Sequence, residues 1–252
     1  MNCSPCRRKA GIIRRICRKR RAKVNDSVKK PYYLGHRERL RQKLLNAGGQ
    51  SFSDCDLLEY LLMQAIPRRD VKPLAKELLE RFSSFAGVLS ADKKDLAQVS
   101  GIKDASAALF AVVREASLRL GQNEINDRPV LNNWDAVIRY SRMKLGRQKV
   151  ESFAVLFLDV KNMPLSFDVL QTGTVDQATV YPREVVKRCL SLEAGAVVLI
   201  HNHPTGDVAP SRADVSLTKT MEDALKPLNI RLLDHLIVSK SGHFSFKAMK
   251  YI

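Results

Sequence analysis

The chain has 252 residues, 45% of them hydrophobic, and a formal net charge of +17. That is long enough for one large domain or two ordinary ones with packed cores. Its longest apolar runs, such as residues 194–200, are strand-sized and far short of the roughly 18 to 20 residues of a membrane span, so a span is excluded at the sequence level.

Residues 7–23, RRKAGIIRRICRKRRAK, hold ten Lys or Arg with no acid before Asp26, and so carry more than half of the net charge. The charges interrupt every apolar run, so the segment does not read as a secretory signal, and a cytoplasmic protein is expected. Residues 1–32 are expected to be a basic flexible tail that attracts nucleic acid or an anionic surface by counterion release. An organellar presequence and an inert solvated extension are the competing readings. The five cysteines, Cys3, Cys6, Cys17, Cys55 and Cys189, are odd in number and scattered, which argues against a disulfide framework and for a reducing compartment. Cys3 and Cys6 have no second ligand pair at finger spacing and read as incidental.

Residues 33–121 carry apolar positions at helical spacing, as in Leu57, Leu58, Leu61, Leu62 and again Leu74, Leu78, Leu79, Phe82. About five short helices are expected. Their starts fall at Ser53, at Arg69-Asp70 before Val71, and at 90–92. Within this helical domain, 96–103 followed by a helix over 105–120 looks like a helix-hairpin-helix, whose tight Gly101 turn would offer backbone N–H groups to a DNA phosphate. Lys103 and Asp104 stand where the usual second glycine and its neighbour would be, and a plain αα-hairpin is the alternative.

Residues 122–129, QNEINDRP, are polar, aperiodic and end in proline, so they are expected to be an interdomain linker. Residues 130–252 then read as an α/β domain with a mixed sheet. It has a helix over 134–145, paired strands at 152–160 and 165–171 joined at Lys161-Asn162, and an irregular or strand segment at 173–181. A helix opened by Pro182 follows, then a doubly buried strand at 196–200, a helix over 211–225 and a strand at 230–238.

The strand at 196–200 runs straight into HNHPTGDVAPSRAD, residues 201–214. His201 and His203, at i and i+2 in extended chain, project to one side and can share an ion. Asp214 is expected in the first turn of the following helix, where the helix N-terminus favours a carboxylate, and Ser211 is placed to cap that helix. Two imidazoles and a carboxylate make three N/O ligands, the number that leaves zinc an open position, as in catalytic sites. Coordination of that kind lowers the pKa of water to about 7, so a hydrolase is expected.

The spacing H-x-H, seven residues, Ser, two residues, Asp, met by His203, Ser211 and Asp214, resembles the JAMM (MPN+) metalloprotease signature. Together with VYPREVVKRCL and LLDHLIVS it looks like the RadC (UPF0758) family, over residues 35–252. The resemblance implies a small all-helical N-terminal domain followed by a mixed-sheet, deaminase-like JAMM domain (fold class α+β or α/β). It also implies Zn2+ held by His201, His203 and Asp214, with an upstream glutamate as general base. By position that glutamate is Glu151, with Glu184 the competitor, and Ser211 would steady the oxyanion or bound water. The expected activity is cleavage of an amide or isopeptide bond in a protein or peptide. The alternative is a DNA-associated, repair-related module whose metal is not catalytic. Asp234-His235 reads either as a second-shell contact to the site or as a satisfied core pair.

Overall fold

The structure, a computed structural model, describes residues 35–173 and 180–252; the basic tail and the greater part of segment 173–181 lie outside those residues. The helical domain contains α1 (His36–Ala47), α2 (Asp54–Ala65), α3 (Lys72–Phe82), α4 (Phe85–Ser90), α5 (Lys93–Leu96) and the long α6 (Asp104–Asn126). Ser53 opens α2 with a capping box in which its hydroxyl accepts from Asp56 N while Asp56 accepts from Ser53 N, as the Ser53 pattern predicts. Asp70 Oδ1 accepts from Lys72 N at the start of α3. The heptad-like leucines converge as expected: Leu58, Leu62 and Leu78 are fully buried with Val88 and Phe110 in one cluster.

The second half is α7 (Trp134–Leu145), β1 (Glu151–Leu158), β2 (Pro164–Gly173), α8 (Pro182–Ser191), β3 (Ala196–Asn202), α9 (Arg212–Leu225), β4 (Arg231–Val238) and β5 (His243–Ser245). Its sheet has the order β2-β1-β3-β4-β5, with β3 and β4 parallel and the other neighbours antiparallel. This is the mixed sheet expected. β1 and β3 are central and covered on both faces, which is why their sequences are apolar without alternation. Ala154, Leu156, Val198 and Ile200 pack against Val137 and Tyr140 of α7. Their strand neighbours Phe153, Val155, Val197 and Leu199 pack against Val185 and Cys189 of α8 and Met221 and Leu225 of α9. Each such side chain contributes about 1.5–3 kcal/mol on burial, so the sheet is clamped between two helical layers. Among the described residues no helix is long and apolar enough to cross a membrane.

Segment 122–129 departs from the linker expected there. Helix α6 continues through QNEIN to Asn126, and irregular chain begins only at Asp127. The reason is tertiary. Ile125 is 1% exposed and sits in the cluster of Tyr140 and Val137, while Tyr140 Oη and Arg139 bond Gln122 and Glu124. Burial of one residue outweighs the lack of a local period. A second departure is the short strand β5, which the sequence reading leaves unassigned.

Candidate metal centre

Strand β3 delivers the two histidines. His201 shares the α9 face with Val197 and Leu199 and is 2% exposed. The extended conformation persists one step past the strand, because His203 N donates to Val238 O at 3.2 Å, so His203 returns to the same face. Between them Asn202 points the other way and is fully buried. Its Oδ1 accepts from Ser152 N at 2.8 Å and its Nδ2 donates to Val150 O at 3.1 Å. These two bonds flank Glu151 and tie the start of β1 to the end of β3. Sequence reasoning missed Asn202; a buried amide interrupting an apolar strand between two histidines was the available signal.

Helix α9 delivers the carboxylate. Ser211 caps it reciprocally with Asp214: Ser211 Oγ accepts from Asp214 N at 3.1 Å, while Asp214 Oδ2 accepts from Ser211 N and Ser211 Oγ, both at 2.7 Å. The cap therefore turns Asp214 back toward the strand end. His201 Nε2 lies 3.2 Å from Asp214 Oδ1, His203 Nε2 lies 3.6 Å from Oδ2, and the two Nε2 atoms are 3.0 Å apart. His203 is held in this orientation by its Nδ1–H, which donates to Asp207 O at 2.9 Å, leaving Nε2 as the acceptor atom. His201 Nδ1 is bonded to His235 Nε2 at 2.8 Å.

Ligand atoms of Glu151, His201, His203 and Asp214 all lie within 4.8 Å of one another. Three ligands of a tetrahedral ion with bonds of about 2.0–2.1 Å stand about 3.3 Å apart. The two Nε2 atoms at 3.0 Å and the nearest carboxylate oxygen of each ring, Oδ1 at 3.2 Å from His201 and Oδ2 at 3.6 Å from His203, stand near that figure, so the donor set fits a small divalent cation. Glu184 takes no part: it is exposed, pairs with Arg183, and lies outside the group. Ser211 lines the same pocket of about 440 Å³, with Phe153, Gln171, Leu217 and the four grouped residues.

The electrostatics agree with a cation seat. Burial alone would push the Asp214 carboxyl up, but the neighbouring rings of His201 and His203 and the Ser211 hydroxyl outweigh it and hold the group well below the usual carboxylate range. Its bond to Asp214 raises His203 above the ordinary imidazole value, against the opposing effect of burial. Of the pair Asp234-His235, only the histidine faces the site. Asp234 turns to the opposite face and accepts from Ser245 Oγ at 2.5 Å and Lys247 N at 2.9 Å, fastening the chain after β5.

Comparison with known families divides the chain much as its architecture does. The model of the UPF0758 N-terminal domain matches residues 33–108, and that of the RadC-like JAB domain matches residues 131–251.

Proposed function

Because the chain belongs to the RadC family, a UPF0758 N-terminal domain ahead of a RadC-like JAB domain, we propose that it is a zinc-dependent hydrolase that cleaves an amide or isopeptide bond in a protein or peptide. The observation that carries this reading is that ligand atoms of Glu151, His201, His203 and Asp214 gather within 4.8 Å of one another in the wall of one pocket. In it, His201, His203 and Asp214 are the ligands, and a bound zinc ion supplies Lewis acidity that brings the pKa of water to about 7. Glu151, at the mouth of β1 and outside the close triangle of the other three, is the general base: its carboxylate takes the proton from the attacking water and returns it to the departing amine. Ser211 directs its proton to Asp214 Oδ2, so it orients the ligand carboxylate first. Steadying an oxyanion requires that hydroxyl to rotate away.

The test separates ligand from base. Purified protein is expected to hold about one zinc per chain, and Asp214→Ala to hold almost none. Glu151→Gln keeps the metal while turnover of a peptide or isopeptide probe drops by at least about 10²-fold. A metal content near zero in the unaltered chain would sink the proposal; full activity in Glu151→Gln would remove Glu151 from it.

A second reading, a nucleic-acid-associated module, draws on two features. One is the concentration of charge in residues 7–23. The other is the α5-turn-α6 hairpin, where Gly101 adopts φ +100° and Arg69 stands 3.1 Å from the position a Cβ would take. Lys93 beside this turn is already paired with Asp104, which weakens the hairpin as a phosphate site. Removal of residues 1–27 is expected to weaken binding to duplex DNA and to flatten its dependence on salt; an unchanged salt slope would leave the tail without a role in that binding.

A further inference from the structure

Behind His201 a chain of three short contacts runs into the protein. His201 Nδ1 meets His235 Nε2 at 2.8 Å, His235 Nδ1 meets Thr218 Oγ1 at 2.6 Å, and Thr218 Oγ1 meets the Asp214 carbonyl at 2.6 Å. All three residues are buried, at 2%, 0% and 2% exposure. The His235 ring is stacked on Phe246 at 4.7 Å and lies edge-on to Phe153 at 6.2 Å, so it is held against flipping and shielded from water.

The direction of every proton in this chain follows from its far end. A backbone carbonyl only accepts, so the single hydroxyl proton of Thr218 goes to Asp214 O. Thr218 Oγ1 can then only accept from His235, which places the proton of that neutral ring on Nδ1 and leaves Nε2 bare. The bare Nε2 accepts from His201 Nδ1–H, and the lone pair of His201 Nε2 faces His203 and Asp214. We propose that Thr218 and His235 are positioning residues that fix the tautomer of His201, so that a lone pair rather than a proton is presented to the metal. The proposal rests on the reading of His201 as a ligand.

The device answers a competition built into the site. Asp214 Oδ1 stands 3.2 Å and the bare His203 Nε2 3.0 Å from His201 Nε2, and both reward a proton there, which is the tautomer that cannot bind metal. Only the bond behind the ring opposes it. Thr218 lies four residues after Asp214 on α9, so one helical turn supplies both the ligand and the lock on its neighbour.

Thr218→Val keeps the shape and removes the hydroxyl. His235 then has no acceptor for its Nδ1 proton, and a buried unpaired N–H is costly. The proton moves to Nε2, and His201 is forced to carry its own proton on Nε2. In metal-free protein labelled with 15N-histidine, long-range 1H–15N spectra at about pH 8 are expected to show His201 as the Nδ1–H form in the unaltered chain and in Thr218→Ser. The same spectra should show the Nε2–H form in Thr218→Val. Zinc affinity, read by chelator competition, falls about 10- to 100-fold in Thr218→Val and returns in Thr218→Ser. An Nε2–H tautomer in the unaltered chain overturns the proposal, as does a Thr218→Val protein with the original tautomer and unchanged affinity. If the unaltered chain shows the Nδ1–H form but binds no zinc, the metal reading fails while the tautomer lock stands.

Discussion

His203 is the residue at which protons and metal compete most directly. Its bond to Asp214 raises its pKa above the ordinary 6.5, so the metal-free site keeps a proton on it to higher pH than a solvated histidine would. Metal takes only the neutral ring. The sign follows: zinc affinity is greatest above the raised pKa and declines as pH falls through it, by up to about tenfold per pH unit for one displaced proton. Chelator competition across about pH 5.5 to 8.5 measures this, and a flat profile would show that His203 is not displaced. Asp214 adds nothing to the slope in this range, because its carboxyl titrates far below it.

At the scale of elements, the site depends on one helix start. The Ser211-Asp214 capping box satisfies orphan N–H groups of α9 and aims the ligand carboxylate through the same bonds. Ser211→Ala is expected to cost about 1 kcal/mol of stability in denaturant unfolding, with a separate loss of zinc affinity. A stability loss with affinity intact would confine Ser211 to capping. This element was legible in the sequence because its parts are local: Ser211 and Asp214 are three residues apart, and His201 and His203 two. The helical core was legible for the same reason, its leucines recurring within single helices. Glu151 could be located only through the family resemblance, since nothing in 150–152 differs from an ordinary strand start. Asn202 and Thr218 read as unremarkable polar residues in chain order, and His235 reads equally as a contact to the site or as a core residue. Their partners lie 17 to 52 positions away, and only the register of β1, β3 and β4 and the docking of α9 bring them together.

For the whole molecule, the governing feature is that α6 belongs to both halves. Its first part carries Phe110 into the helical core, and its last turns carry Ile125 into the core beneath the sheet. The polar bridges between the halves, Lys149 to Asp95 and to Asp92, are exposed and worth about 0–1 kcal/mol each. Apolar packing along α6 is therefore the stronger coupling. The expected result is one cooperative unfolding transition. Trp134, the only tryptophan, packs against the core under the sheet and reports on that half by fluorescence; far-ultraviolet circular dichroism is dominated by helix. The two signals should share a midpoint in urea, and separated midpoints would mean that the halves unfold independently.

The shared helix also decides where this chain can be cut. The boundary that the polar run 122–129 suggests falls inside α6, and a fragment beginning at Val130 would leave behind Ile125 and Leu118. The surface of Tyr140 and Val137 that they cover would then face water. Such a piece would associate through the uncovered patch. A metal-binding fragment that stays in solution has to begin upstream of Leu118, taking the second half of α6 with it.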